Sequence, residues 1–287
     1  MTIQEILNDA GVDFLESGNH HCRYGWIQTR LCPYCASNNY HLGFNLSGKF
    51  FFCWRCRWHP TVSTLIKLGV NPNVARASFR ELEVEDAPAK EKLGKLVEPL
   101  GRGPLLSAHR KYLIGRQFNP DELEKIWSLQ GIGIAPELSW RIYIPIFCKG
   151  IKVSWTTRAI GDRVTQRYLS APLAQAAKNL KHLVFGLDFC AHKIVVVEGP
   201  TDAFAVGPGA GALFGTAFTT LQLRILADVP YRYICFDSSE KAQARARDLA
   251  CQLAPFPGET HNVILDAEDP GSASKRELAR LRRITGI

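Results

Sequence analysis

The apolar run Ile194 to Val197 ends in Glu198-Gly199-Pro200-Thr201-Asp202, and that junction limits the fold more than any other stretch of the chain. A buried strand followed at once by acid, glycine and a helix start puts two carboxylates beyond the carboxyl end of a strand, where open α/β sheets bind their ligands. The pattern recurs downstream. Tyr231 to Phe236 reads as a second strand and ends in Asp237, and Asn262 to Leu265 reads as a third, followed within four residues by Asp269-Pro270-Gly271. Helix signals lie between and after them: Lys241 to Leu253 is rich in Ala and Arg, and Ser274-Lys275-Arg276-Glu277 has the form of a capping box before a last helix over Ser274 to Ile284. Such alternation implies a mainly parallel sheet with crossover helices. Carboxylates at its edge can hold Mg²⁺ against substrate phosphates, while the plainer alternative has Asp202 complementing a helix N-terminus and Glu198 on a solvated loop.

Cys32-Pro-Tyr-Cys35 and Cys53-Trp-Arg-Cys56 are two Cys-x-x-Cys knuckles with 17 residues between them. Four thiolates at that spacing close a tetrahedral zinc site with no open position, which makes the metal structural; paired disulfides or a redox Cys-x-x-Cys explain the duplication less well. His20, His21, Cys22, His41 and His59 lie nearby and are assigned to packing, surface or backbone bonding. Around the knuckles stand Tyr34, Tyr40, Phe44, Phe50, Phe51, Phe52, Trp54 and Trp58, with Lys49, Arg55 and Arg57 interleaved. Aromatic and basic residues mixed in this way can stack bases and contact phosphates, and Trp54 and Arg55 are the candidates for single-stranded template. A small zinc domain also needs core, so strand alternation predicts that about half of these aromatics face inward.

At 287 residues, 46% hydrophobic and 22% charged, the chain suits two or three globular domains. It has no apolar run of 18 residues, and its first ten residues hold two acids and no basic segment, so neither a membrane span nor a secretory signal is expected. Five further cysteines without regular spacing fit reduced thiols, and a cytoplasmic location follows as the expectation. Net charge is +4 over residues 1–80, −3 over 81–99, +8 over 100–197 and −1 over 198–287. That division suits a polyanion held by one part of the chain and cations held by another, although basic segments are also common on plain solvated faces. Residues 81–103, acidic and then rich in Pro and Gly, read as a linker. Beyond it, helices are expected over Leu105 to Gly115 and Pro120 to Ser128, and strands over Arg141 to Phe147 and Ile151 to Arg158.

Glu198-Gly-x-x-Asp202, Gly215-Thr216-Ala217-Phe218-Thr219, Phe236-Asp237 and Asp269-Pro270 resemble, in that order, the TOPRIM domain of bacterial replicative primases. Upstream, Tyr112-Leu113-x-x-Arg116, Arg141 to Pro145, Thr157-Arg158, Arg167-Tyr168-Leu169-Ser170 and Phe185-Gly186-Leu187 resemble landmarks of the primase RNA polymerase core. Primases of this family also carry an N-terminal zinc ribbon, usually with His where this chain has Cys35. The resemblance implies an α/β protein in three parts: a zinc ribbon at 1–80, then, after the linker, a mixed α+β primase subdomain at 104–192 and a TOPRIM α/β domain at 193–287. It implies a DNA primase that makes RNA primers on single-stranded DNA from ribonucleoside triphosphates, with structural Zn²⁺ and catalytic Mg²⁺ or Mn²⁺.

In that resemblance Glu198 is the central acid, Asp202, Asp237 and Asp269 help hold cations, and Arg158 and Arg167 line the template and nucleotide groove, Arg167 standing where Lys is usual. Lys178 and Lys181 both lie close to a further family lysine, and the spacing does not choose between them. The chain departs from the family twice. Ser239 replaces the second acid of Asp-x-Asp, and Gly271 replaces the acid after Asp-Pro; fewer carboxylates weaken a hard-cation site. A compact primase of bacterial, phage or plasmid type is therefore weighed against a catalytically weakened nucleic-acid-binding replication accessory and against a TOPRIM nuclease. No helicase segment follows the last helix signal, so a separate helicase partner is expected.

Overall fold

A computed structural model describes residues 1–16, 19, 22–79, 94–161, 164–254 and 256–287. The chain divides into two compact units, Met1–Glu91 and Lys92–Ile287. His20, His21 and most of the expected linker lie outside the described residues.

The first unit is an antiparallel sheet of five short strands in sequence order: β1 (Phe14–Leu15), β2 (Trp26–Thr29), β3 (Leu42–Asn45), β4 (Phe51–Cys53) and β5 (Arg57–His59). Helices α1 (Ile3–Asp9), α2 (Thr61–Lys67) and α3 (Pro72–Ser78) accompany it. Thr2 starts α1 with a reciprocal capping box, its hydroxyl accepting from the Glu5 amide while Glu5 accepts from the Thr2 amide. Ile27, Leu42, Phe44 and Phe51 join Ile6, Leu7, Val62 and Leu65 in one core.

The opposite face is not left to solvent. Trp26, Phe50, Phe52, Trp54 and Trp58 pack there with ring centroids 4.3 to 5.8 Å apart. Gly43 makes room for them, because a Cβ there would stand 2.6 Å from Trp54 and 2.7 Å from Trp26. Four of the eight aromatics, Phe44, Phe50, Phe51 and Phe52, are buried as expected, but the other half is not left exposed: Tyr40, Trp54 and Trp58 are half-buried, and only Tyr34 among the eight is exposed. Alternation holds, but both faces of the sheet are covered.

The second unit carries two sheets. One is antiparallel, β10 (Tyr168–Ser170), β9 (Ile151–Ala159), β8 (Arg141–Cys148), β7 (Gln130–Ile132) and β6 (Arg102–Gly103), with helices α4 (Ser107–Gly115) and α5 (Pro120–Trp127) between β6 and β7 in the chain. The other is fully parallel in the order β12-β11-β13-β14, formed by β11 (Lys193–Val197), β12 (Ala210–Ala212), β13 (Tyr231–Ile234) and β14 (Glu259–Asn262). Helices α6 (Pro200–Val206), α7 (Thr220–Ala227) and α8 (Glu240–Leu253) connect these strands, and α9 (Lys275–Thr285) ends the chain. One core of Leu113, Trp127, Ile142, Phe185, Val195, Val197 and Phe204 draws on both sheets. Gly186 (φ 74°) lets the chain turn into it, since a Cβ there would meet the Ala210 carbonyl at 2.6 Å.

Two sequence expectations shift. The third strand, expected over Asn262 to Leu265, lies at Glu259–Asn262, because the register opposite β13 pairs Tyr231 with Glu259 and Ile234 with Asn262. As an edge strand it is largely exposed, which is why its residues are polar and the apolar pattern misplaces it. The capping box before α9 forms only by half. Ser274 accepts from the Glu277 amide, but the Glu277 carboxylate accepts from the amides of Asp266 and Ala267 and fastens the loop that carries Asp269.

Within the described residues, 94–103 run as a strap along the antiparallel sheet. The Trp155 indole donates to the Val97 carbonyl at 2.9 Å, and Glu98 accepts from Tyr143 and from Lys152 Nζ (2.8 Å).

Candidate metal centre and acidic cavity

Cys32, Cys35, Cys53 and Cys56 bring their sulfurs within 4.8 Å of one another. The Cys32–Cys56 and Cys35–Cys53 pairs stand at 3.6 and 3.8 Å, and a tetrahedron with Zn–S of about 2.3 Å has edges of about 3.8 Å. A disulfide would need about 2.05 Å. The donor set thus fits closed, structural zinc. The Arg55 amide donates to Cys53 Sγ at 3.4 Å, so Arg55 supports the knuckle through its backbone while its side chain is exposed. His59 Nε2 lies 3.0 Å from Cys56 Sγ, with its ring stacked on Tyr34 at 3.7 Å. That places His59 against a ligand.

Trp54 lines a cavity of about 750 Å³ in the same unit, together with Arg23, Gln28, Tyr40 and His41. The Arg23 guanidinium lies over the Trp54 ring, 5.4 Å from its centre, and the Trp54 indole N–H is buried without a partner. Arg23 was not singled out from the sequence; no local spacing marks it.

In the second unit the parallel strands reverse their order beside β11. The chain leaves β11 through α6 to β12 on one side, then crosses through α7 to β13 on the other, so the ends of β11 and β13 flank the crevice where ligands bind in open sheets. Glu198 follows β11 and Asp237 follows β13, and the Asp237 amide donates to Glu198 Oε1 at 3.0 Å. Asp202, one turn into α6, is 7% exposed and accepts from the Gly199 amide at 3.0 Å. Asp269 arrives on the loop before α9, braced by the Ser272 amide at 2.6 Å.

These four carboxylates line one cavity of about 380 Å³ with Arg116, Arg158 and Arg167. Burial raises the pKa of Glu198 to about 7, against the Asp237 amide that favours its anion; the Asp237 charge reinforces the rise. Burial and then the charges of Asp269 and Asp237 raise Asp202 to about 7. Asp237 is also raised, first by burial, and its Oδ1 is buried with no hydrogen-bond partner. Crowded acids with a spare buried oxygen fit bound cations. Among the described residues, however, only the cysteines gather three or more metal-ligating groups within 4.8 Å. The carboxylates surround a space that phosphate oxygens and water would help fill, as Mg²⁺ requires.

Across the cavity Arg158 is held between two tyrosines, donating to Tyr112 Oη at 3.2 Å and lying 4.8 Å from the centre of the Tyr168 ring. Arg167 is exposed on the approach to β10. Lys181 reaches the carbonyls of Phe214 and Ala217 at 3.5 Å, beside the cavity wall at Phe214 and Gly215. Lys178 does not line the cavity and instead lies 3.3 Å from Cys148 Sγ. Arg116, marked by the sequence as a landmark without a role, lines the cavity as well.

Both departures acquire physical settings. Ser239 caps α8, accepting from the Ala242 amide at 3.3 Å, and does not line the cavity. At Gly271 a Cβ would stand 3.0 Å from Asp202 Oδ1, 3.1 Å from Arg116 Nη2 and 3.3 Å from Asp269 Oδ1, so any side chain must displace its neighbours.

Among solved structures, the zinc-binding and RNA polymerase domains of Aquifex aeolicus primase match all of this chain and 83% of their own, with TM-score 0.54 and 16% identity. The chain has a primase-type fold. The RNA polymerase domain of Mycobacterium tuberculosis primase DnaG matches 63% of this chain and 75% of its own, with TM-score 0.51 and 21% identity. The same domain solved with double-stranded DNA matches with TM-score 0.50 and 22% identity over 63% of this chain and 73% of its own. No protein-family model and no curated protein sequence matches this chain.

Proposed function

We propose that the chain is a DNA primase, joining ribonucleotides on a single-stranded DNA template by metal-dependent nucleotidyl transfer. The observation that carries this reading is one cavity in which Glu198, Asp202, Asp237 and Asp269 face Arg116, Arg158 and Arg167 at the switch point of a parallel sheet. Buried acids opposite arginines suit a triphosphate whose negative charge needs both cations and guanidinium donors. Mg²⁺ or Mn²⁺, held by Glu198, Asp237 and Asp269, would neutralise the charge that develops on the attacking and leaving oxygens. The 3′-hydroxyl oxygen attacks the α-phosphorus as the bond to the bridging oxygen breaks, and pyrophosphate leaves. Glu198, with a proton affinity raised to near neutrality, is suited to receive the hydroxyl proton.

The domain plan supports the same reading. A zinc ribbon at 1–80 holds template over Trp54, the segment from 81, whose last part at 94–103 is tied to the antiparallel sheet, joins it to a basic primase subdomain at 104–192, and the TOPRIM domain at 193–287 supplies the acids. The Arg23–Trp54 pairing suits a stacked base beside phosphate. No helix among the described residues is long and apolar enough to cross a membrane, and nine cysteines outside any disulfide, four of them gathered in the zinc site, suit the reducing cytoplasm.

Ser239 and Gly271 favour one competing reading, a nucleic-acid-binding accessory with weakened catalysis. Incubation with single-stranded template, labelled ribonucleotides and either metal separates the two. Short RNA that disappears in Glu198→Gln is expected; template binding without product, for either metal across varied templates, overturns the primase reading.

A further inference from the structure

Three arginines on α9 are unused by the acidic cavity. Arg276, Arg280 and Arg283 are exposed, and at about 100° per residue they fall within a sector of about 60° and span about 10 Å of helix. The opposite side of α9 is spoken for: Leu281 and Thr285 are buried, and Arg282 donates to the Val206 carbonyl at 2.7 Å. Neither Arg276, Arg280 nor Arg283 has an acidic partner among the described residues. Glu277, the only acid on the helix, is turned away to the amides of Asp266 and Ala267.

The helix dipole accounts for Arg283 in the last turn but not for the start of the stripe. Lys275 and Arg276 occupy the first turn, where the helix dipole disfavours cations by about 0.3–1 kcal/mol. Position also argues for a role. Lys275 and Leu278 line a cavity of about 190 Å³ together with Arg116 and Gly271, and Arg116 lines the acidic cavity too. The stripe therefore starts beside the candidate catalytic centre.

We propose that Arg276, Arg280 and Arg283 form a track for the phosphate backbone of nucleic acid next to that centre. The net charge of −1 over residues 198–287 conceals it, because Glu198, Asp202, Asp237 and Asp269 line the cavity and Glu277 is bonded to backbone, while these cations face solvent. Unpaired arginines in a row match a polymer whose charge repeats along its length, and they read no bases. The proposal concerns binding and leans on the primase reading only for its choice of nucleic acid.

The test is fluorescence anisotropy of a labelled oligodeoxynucleotide, titrated with the full zinc-loaded chain at several salt concentrations. The combined variant Arg276→Ser, Arg280→Ser, Arg283→Ser is compared with a charge-matched control, Lys111→Ser, Lys125→Ser, Lys149→Ser. Each lost phosphate contact lowers the slope of log affinity against log salt by about 0.7 for single strands, so the stripe variant should lose about two and the control much less. Equal slopes for native and variant overturn the proposal, as does an equal loss in the control, which would mark a general charge effect. Loss of binding to labelled oligoglutamate with DNA binding intact would assign the stripe to an acidic protein and also overturn it. Thermal unfolding checks that both variants fold. RNA synthesis in the native chain is measured separately, so its absence would sink the primase reading while leaving the salt slopes to judge the track.

Discussion

Burial first, and then the neighbouring carboxylates, make Glu198 and Asp202 hold protons to about pH 7, and a bound cation would offset both. Both folded pKa values are raised above those of the unfolded chain. Their contribution to stability is fully present below the unfolded carboxylate range and is lost as pH rises through about 7. Without divalent metal, Asp202→Asn should therefore melt higher than the native chain at about pH 8, by roughly half as much at about pH 5.5, and level with it only near pH 4; comparing the two at each pH cancels the response of the zinc unit. Mg²⁺ should raise the native melting temperature at the higher pH more than that of the variant. A variant less stable at both values would show that the Gly199 contact, not charge, governs Asp202. Ser239 does not line the cavity, but it follows Asp237 by two residues; Asp in its place caps the helix about as well and reaches one atom further, with a second oxygen free for a cation. Ser239→Asp should leave the melting temperature nearly unchanged and lower severalfold the metal concentration needed for half-maximal RNA synthesis. The acids were legible because each follows its own apolar strand in sequence. Arg116 was not legible as a cavity residue, because only the folded loop before α9, with glycine at 271, brings it to Asp202 and Asp269.

At the scale of elements, the zinc unit has two thin cores back to back and depends on the metal to join its knuckles. One zinc per chain is expected by metal analysis. Cys53→Ser should release it and unfold the ribbon while the far-ultraviolet signal of the second unit persists; a metal content unchanged by the substitution would dismiss the site. The strap at 94–103 offers an independent check. Glu98 accepts from Tyr143 and Lys152 and lies 3.5 Å from Arg102, and these partners hold its carboxyl below the usual range against the effect of burial. Glu98→Gln should cost about 1 kcal/mol in urea unfolding, the partial exposure of the pairs keeping the loss modest. Residues 94–103 carry Pro and Gly, which mimics a linker; the anchors that bind them to the sheet come from far along the chain and leave no local mark. The strand at Glu259–Asn262 escaped for the converse reason. Its pairing with β13 fixes it, while its exposed edge frees its composition.

For the whole molecule, charge and chemistry are divided between units that can be perturbed separately. The zinc unit presents Trp54 beneath Arg23, and the second unit presents acids opposite arginines. If template is held by the first and triphosphate by the second, substitutions in each should affect different kinetic constants. Arg23→Gln keeps the aromatic packing around Trp54 but removes its cation, and Trp54→Ala removes the stacking surface, worth about 1–3 kcal/mol per base. Trp54→Ala should raise the template concentration needed for half-maximal RNA synthesis by about tenfold or more, Arg23→Gln by less, and neither should change the KM for ribonucleotides. Arg158→Gln should do the reverse, raising the nucleotide KM and leaving template affinity within about twofold, because its guanidinium is fixed between Tyr112 and Tyr168 in the wall of the acidic cavity. Thermal unfolding separates packing loss in Trp54→Ala from loss of recognition, and Arg23→Gln supplies the comparison in which packing is intact. Should both zinc-unit variants keep native template dependence while Arg158→Gln loses it, the second unit alone holds the template. The aromatic face of the ribbon would then be core, and its cavity no part of recognition.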